Sequence, residues 1–210
     1  MPASPAVNDV HDVAALARNY QHQLRNLLAV IRSIVRRTAA ASTDVEQFAT
    51  FLDGRISALA RVQSALARKP DGTVTLHSLL ADELLAHATH EGEGASLSGM
   101  PVRLRGKPAA TLALFLHELA VNAVTHGVLG ARPGRLAVGW RLLPSGELLL
   151  EWKESWSEPG AAVARDLDLE FGKDMLAYEL DAQTASDAGP DSACWTIRVP
   201  VHPDIIADEG

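Results

Sequence analysis

The first residues that could do chemistry are a histidine and the basic side chains around it. Arg18 precedes His22 by four residues, and Arg25 and Asn26 follow it by three and four. Residues three and four apart share one face of a helix, so these side chains are expected to surround the imidazole. A neutral imidazole is a competent nucleophile near pH 7, and guanidinium groups bind phosphoryl oxygens. The spacing suits phosphoryl transfer, although a histidine on an amphipathic helix is more often an ordinary surface residue.

A second polar group lies about a hundred residues later, inside an apolar segment over residues 116–127. Glu118 and Asn122 are four residues apart and share a helical face, with His117 beside them. Their oxygen atoms are suitable ligands for Mg²⁺, and burying them among apolar neighbours without a ligand would be costly. The segment is therefore expected to bind a ligand, and the alternative is that these residues merely edge a buried helix.

A long helix over residues 12–41 must position the first group. Its apolar positions follow steps of four and three, in a heptad-like stripe formed by Leu16, Tyr20, Leu24, Leu27, Ile31, Ile34 and Thr38. Thr43 and Glu46 have capping-box spacing and predict the start of a second helix, which runs to about Lys69. Two such helices form an antiparallel hairpin with more apolar surface than it can cover. We therefore expect two copies to pair into a four-helix bundle, making a homodimer.

After Gly72 the patterns of strands and helices alternate. The predicted elements are a strand-to-helix segment over 74–88, a loop marked by Gly92, Gly94 and Gly99, a strand over 102–105, an apolar helix over 108–127, a hairpin of 136–140 with 148–152, a helix over 170–180 and a last strand over 195–199. The fold class is therefore α+β, with an α/β sandwich after the helical hairpin. The predicted boundaries are a lead over 1–11, the hairpin over 12–70, the sandwich over 72–202 and a tail over 203–210.

Composition narrows the partners and the compartment. The net charge is −7, yet from Val13 to Thr43 there are five arginines and no acidic residue. A basic helix on an acidic protein predicts a defined anionic partner rather than nucleic acid. The single Cys194 excludes an internal disulfide, no apolar run approaches membrane-spanning length, and residues 1–5 lack the features of a signal peptide. We expect a cytoplasmic protein with no membrane association.

Three segments together carry a family resemblance: Tyr20–Val30, Leu116–Gly127 and Trp152-Lys153-Glu154. They resemble the HWE family of bacterial histidine kinases, which is named for a histidine and a Trp-x-Glu that correspond here to His117, Trp152 and Glu154. The family's phosphoacceptor motif is roughly His-Arg-x-Lys-Asn, and the chain has His-Gln-Leu-Arg-Asn from His22. The resemblance thus implies that His22 accepts the phosphoryl group and that Arg18, Arg25 and Asn26 contact that group or a partner. The match continues through residues 51–61.

The same resemblance implies a nucleotide-binding domain of the GHKL or Bergerat type, as in gyrase, Hsp90 and histidine kinases. In that superfamily the residue matching Asn122 binds the Mg²⁺ that bridges the phosphates of ATP, and the residue matching Glu118 lies near the γ-phosphate. Glu154 would accept a hydrogen bond from the adenine amino group. The resemblance also implies nucleotide-binding roles for His117, Trp152 and Gly172. ATP and Mg²⁺ are therefore the expected ligands.

The chain departs from the family pattern around the phosphates. Thr125-His126 stands where Lys-Tyr or Lys-His is usual, so a cation is missing. The segment 155–160 has Ser-Trp-Ser-Glu-Pro-Gly where two glycines and a proline are expected, and Glu170-Phe-Gly replaces Gly-Phe-Gly. A carboxylate close to a polyphosphate is electrostatically unfavourable. These departures favour a site that has lost its ATP chemistry.

Three functions follow from these observations. The first is a histidine kinase core, in which ATP phosphorylates His22 and the phosphoryl group passes to an aspartate of a response regulator receiver domain. The second is an ATP-independent histidine phosphotransferase that shuttles phosphoryl groups between receiver domains. The third, which would need neither His22 nor the hairpin, is a non-enzymatic dimeric protein or an anti-sigma-type interaction protein.

Overall fold

A computed structural model describes residues 6–92, 94–130, 133–157, 169–201 and 203–207. The elements in chain order are α1 (Ala6–Ala41), α2 (Val45–Ala67), β1 (Thr73–Thr75), α3 (Leu76–Ala86), β2 (Ala95–Gly99), β3 (Val102–Arg105), α4 (Gly106–Thr125), β4 (Gly134–Leu142), β5 (Glu147–Trp156), α5 (Glu170–Leu180), β6 (Gln183–Ala188), β7 (Ser192–Pro200) and β8 (Ile205–Ala207). The chain forms two compact units, Met1–Leu52 and Asp53–Gly210. The division falls inside α2, whereas the sequence places the domain boundary near residue 71.

The start of α2 shows how local polar groups set a helix boundary. The side chain of Asp44 accepts a hydrogen bond from the Gln47 N–H at 2.8 Å, and the Gln47 side chain accepts one from the Thr43 N–H at 2.7 Å. Reciprocal capping is therefore present, as predicted. The predicted pair of Thr43 with Glu46 was wrong, because the helix begins at Val45 and makes Asp44 the capping residue.

The apolar stripe of α1 is buried at one end and open at the other. Ile34 and Thr38 are fully buried, and the Thr38 hydroxyl donates to the Ile34 carbonyl at 2.7 Å, which satisfies the buried polar group. Leu24 and Leu28, earlier on the helix, are each 58% exposed. The chain by itself therefore leaves Leu24 of the stripe, and Leu28 beside it, uncovered.

The second unit is built on a five-stranded sheet with the order β2-β4-β5-β7-β6. All neighbours are antiparallel except β2 and β4. The predicted hairpin is confirmed as β4 and β5, which pair Val138 with Trp152 and turn at Gly146, where φ is +81°. A smaller antiparallel sheet has the order β1-β3-β8. The predicted α+β class is thus confirmed.

Helices α4 and α5 pack closely around one aromatic cluster. The ring of Phe115 in α4 meets Trp195 of β7 edge to face, with 6.4 Å between centroids. A Cβ atom on Gly172 of α5 would lie 2.5 Å from Phe115 Cδ2. The absence of a side chain at Gly172 therefore lets α5 approach α4. Among the described residues α4 alone has the length and hydropathy of a membrane span, and 72% of its apolar window is buried in the fold.

Two predictions about strands need correction. Gly99 was expected in a loop but ends β2, where a Cβ atom would lie 2.4 Å from the indole of Trp140. The strand over 195–199 was expected to be the last one, but β8 follows it and pairs with β3. A third strand, β6, was not predicted and pairs with β7, the next strand along the chain. The strands β2 and β8 are short and pair with partners distant in the chain, so they carry little periodic signal of their own.

Candidate functional site

The residues of the predicted phosphoacceptor group lie on α1, so the helical backbone expected for them is present. The side chains of Arg18 and His22 lie outside the described residues. Arg25 and Asn26 are exposed on the helix. The arrangement of basic groups around the imidazole therefore stays a prediction from helical spacing.

The second group lies on α4, where its members face different surroundings. Counted over the whole residue, His117 is 7% exposed, while Glu118 and Asn122 are partly buried. The helix brings Glu118 and Asn122 to one face by their spacing of four. His117 and Glu118 both form hydrogen bonds with side chains from other elements of the second unit.

Glu118 forms a two-pronged ion pair with Arg55 of α2. Arg55 Nε donates to Glu118 Oε1 at 2.7 Å and Arg55 Nη2 donates to Oε2 at 2.9 Å. The two side chains are 3% and 12% exposed. Both oxygens that the resemblance assigns to the γ-phosphate region are therefore held by a guanidinium. The segment that contains Arg55 carries part of the family resemblance, but no local pattern in the sequence assigns this residue to the site.

His117 belongs to a cluster with Glu83 of α3 and His87, the residue that caps the C-terminal end of α3. Glu83 Oε1 lies 2.8 Å from His117 Nδ1 and 3.1 Å from His87 Nε2, and Arg61 Nη2 of α2 lies 2.5 Å from Glu83 Oε2. Burial alone would raise the pKa of Glu83, but the hydrogen bonds from these partners outweigh it and lower the pKa well below its usual range. Glu83 is therefore a carboxylate held ionised inside the protein.

The close packing of the His117 ring against α2 also depends on a glycine of that helix, which has no side chain. A Cβ atom on Gly54 would lie 2.7 Å from His117 Nε2. The His117 ring is therefore packed against α2 on one side and bonded to α3 on the other. These contacts account for the buried histidine without a nucleotide, and the nucleotide-binding role expected for His117 stays a prediction.

Asn122 retains the feature expected of a metal ligand. Its side-chain Oδ1 is buried and has no hydrogen-bond partner. Buried polar atoms are nearly always paired, and an amide oxygen is one of the ligands that Mg²⁺ accepts. Asn122 is thus a suitable ligand for the Mg²⁺ that the resemblance implies, because its unpaired oxygen atom can bind a cation.

Trp152 and Glu154 lie on one side of β5, at positions two apart. Glu154 is 2% exposed. Its Oε2 accepts a hydrogen bond from the Val128 N–H at 3.0 Å, and its Oε1 accepts one from Trp152 Nε1 at 3.4 Å. The Trp-x-Glu motif therefore ties the loop after α4 to the centre of the sheet. This structural role accounts for both residues independently of adenine.

Gly127 is required by the same arrangement. A Cβ atom there would lie 1.9 Å from Glu154 Oε2 and 2.9 Å from the Ala123 Cα atom. We expect Gly127→Ala to lower the free energy of unfolding by about 1–3 kcal/mol in urea denaturation, because a buried, hydrogen-bonded carboxylate and a helix backbone must both shift. The matched control is Gly139→Ala, whose Cβ would meet nothing closer than 3.8 Å. Equal effects of the two substitutions would contradict this account.

The remaining predicted elements of the ATP site are only partly described. Trp156, in the segment where the family pattern has two glycines and a proline, is the buried last residue of β5. Residues 158–168 and the side chains of Glu170 and Phe171 lie outside the described residues. Gly172 is buried against Phe115, so its described contact is with protein. The second unit thus contains a candidate Mg²⁺ ligand together with two carboxylates that are already paired internally.

Comparison with known proteins identifies a related family. A family model described as HWE histidine kinase matches residues 19–101. A blue-light-activated histidine kinase of Rhizobium johnstonii is 34% identical over 140 residues, covering 66% of this chain and 39% of the relative. One from Brucella anthropi is 26% identical over 200 residues, covering 92% of this chain and 40% of the relative. The chain therefore spans about two fifths of the length of these curated relatives.

Solved structures show the same fold. The blue-light-activated histidine kinase of Erythrobacter litoralis superposes with a TM-score of 0.66 at 13% identity, over 85% of this chain and 59% of that one. A structure of its histidine kinase domain gives a TM-score of 0.59 at 15% identity, over 89% of this chain and 94% of that one. The order of helices followed by a mixed sheet is therefore the order found in these proteins.

Proposed function

Since a model of the HWE histidine kinases matches residues 19–101 and a 34% identical relative is a blue-light-activated histidine kinase, we propose that the chain is an HWE-type core of a two-component signalling protein that carries a phosphoryl group on His22. The group passes from the imidazole to an aspartate of a response regulator receiver domain. The family match includes His22, and the position of His22 within α1 supports its presentation on a helix. Phosphohistidine is a high-energy group that can be passed on to a carboxylate.

ATP is the proposed phosphoryl source, and the observation that carries this assignment is the unpaired oxygen of Asn122. Asn122 would hold Mg²⁺, which supplies charge neutralisation to the phosphates when bound. Glu118 would lie one helical turn away, with its charge balanced by Arg55. That balance lowers the repulsion that a bare carboxylate would exert on the γ-phosphate. Glu154 and Trp152 would position the loop after α4 beside the nucleotide.

An ATP-independent phosphotransferase is the second candidate, and two contacts favour it. Arg55 occupies both oxygens of Glu118, and the Val128 N–H and Trp152 indole occupy those of Glu154. A domain whose two carboxylates are both paired with groups of the protein itself would serve as a structural support for the helical hairpin. In that case His22 would exchange phosphoryl groups between receiver domains.

A homodimer is the proposed assembly. Its support is the exposed apolar surface of α1, where Leu24 and Leu28 are each 58% exposed and Val35 is 37% exposed. Side chains of this kind at helical spacing pack in bundles. The proposed partner is a receiver domain, the proposed compartment is the cytoplasm, and nucleic acid and membrane have no proposed role.

The two candidates are separated by offering the protein two phosphoryl donors. In one arm the full chain is incubated with γ-labelled ATP and Mg²⁺, and in the other with a phosphorylated receiver domain. Acid-labile, base-stable label from ATP supports the kinase. Label from the receiver alone, in protein shown to be folded, supports the phosphotransferase. Label from neither donor would overturn both.

The arginines of α1, among them Arg18 and Arg25, are proposed to contact the receiver domain. Three further arginines of α1, Arg32, Arg36 and Arg37, line a shallow open depression together with Ala29, Ser33 and Ala40. We expect Arg18→Glu together with Arg25→Glu to slow transfer to the receiver more than about 10-fold, because like charges oppose docking. The measurement is the rate of label transfer at fixed receiver concentration, with circular dichroism as a fold control. Unchanged transfer would remove the arginines from the docking surface.

A further inference from the structure

The cluster of Glu83, His87 and His117 has the side chains of a metal-binding site. Glu83 lies in the last turns of α3, His87 four residues later is the residue that caps the C-terminal end of α3, and His117 is contributed by α4. Their ligand atoms all lie within 4.8 Å of one another. Two imidazoles and one carboxylate form a donor set that zinc takes in proteins. None of the three is needed for the Mg²⁺ proposed at Asn122.

We propose that Glu83, His87 and His117 bind one divalent transition-metal ion, with Zn²⁺ as the best match. His117 Nδ1 and His87 Nε2 approach the same oxygen of Glu83, at 2.8 Å and 3.1 Å. Bonds of about 2.0–2.2 Å to a tetrahedral ion place ligand atoms about 3.3 Å apart. Each imidazole nitrogen therefore needs to move only a few tenths of an ångström away from the Glu83 oxygen to admit the ion, and all three ligand atoms already lie within 4.8 Å of one another.

The surroundings meet the other requirements of such a site. The second oxygen of Glu83 is bonded to Arg61, which orients the carboxylate in the way that outer partners orient metal ligands. The side chains of Glu83 and His117 are 7% and 9% exposed, so two ligands are fixed in the interior. His87 is 18% exposed, which leaves a path for the ion and a place for water as the fourth ligand. The bound ion would cross-link α3 to α4.

The test uses the full chain, stripped of metal with a chelator and titrated with Co²⁺ and Zn²⁺. We expect one ion per chain by calorimetry and a visible Co²⁺ absorption band that Zn²⁺ removes. His87→Ala should weaken Zn²⁺ binding by more than about 10-fold, since a lost ligand costs at least as much as a lost outer partner. His87 ends α3 and is partly exposed, so this variant is expected to fold.

The matched control is His77→Ala. His77 Nε2 also lies 3.1 Å from a carboxylate, that of Glu91, but these side chains are 51% and 41% exposed and, among the described residues, belong to no cluster of three such ligands. The control should bind Zn²⁺ as the unmodified chain does, and Zn²⁺ should raise the melting temperature of both. Absence of a bound ion in the unmodified chain would overturn the proposal. So would binding that survives His87→Ala unchanged.

Discussion

His22→Ala is expected to abolish phosphoryl acceptance from every donor. Alanine offers no nitrogen to form the phosphoramidate bond, so neither ATP nor a phosphorylated receiver can transfer its group to this position. The measurement is acid-labile, base-stable label per chain, read at the endpoint and as an initial rate. His22 lies on α1, and alanine is the best helix former, so the helix should persist. Label that survives in this variant would refute the assignment.

Asn122→Ala is the companion variant that separates the two donors. Removing Asn122 Oδ1 takes away the proposed Mg²⁺ ligand but leaves His22 untouched. Label from ATP should then be lost, while label from a phosphorylated receiver should continue at the unmodified rate. Loss from both donors in a folded protein would show that Asn122 supports the hairpin rather than the nucleotide.

Arg55→Met is expected to have the largest effect on stability. It leaves the carboxylate of Glu118 partly buried without its partner, and breaking a buried pair from one side costs about 3–5 kcal/mol. The measurement is the free energy of unfolding from urea denaturation. The double variant Arg55→Met with Glu118→Met should recover most of the loss, because no charge is then left unpaired. A double variant as unstable as the single one would contradict this account.

Arg141→Met provides the surface comparison. Arg141 Nη1 lies 2.6 Å from Glu151 Oε2, as close as the buried pair, but the side chains are 59% and 41% exposed. Water solvates both charges there, so breaking the pair should cost no more than about 1 kcal/mol. The contrast between Arg55 and Arg141 would separate the effect of burial from the effect of the ion pair itself.

Local patterns in the sequence were sufficient for most of the secondary structure. The period of α1 and α2, the apolar segment that became α4 and the turn at Gly146 each carry their signal within a few residues. The α+β class follows from their order, and the family resemblance follows from residues in those same segments. Elements without a local signal were missed or misplaced, as β2 and β8 were, because pairing with distant strands creates them.

The sequence by itself determined the helical position of His22, the shared face of Glu118 and Asn122, and the resemblance to the HWE histidine kinases, whose family model matches residues 19–101. Only the tertiary structure decided that Glu118 pairs with Arg55, 63 residues away, and that His117 pairs with Glu83, 34 residues away. Helical spacing specifies which side chains share a face but not what the face meets. The partner of a buried charge is chosen when helices pack, because a charge taken out of water must find its counterpart there.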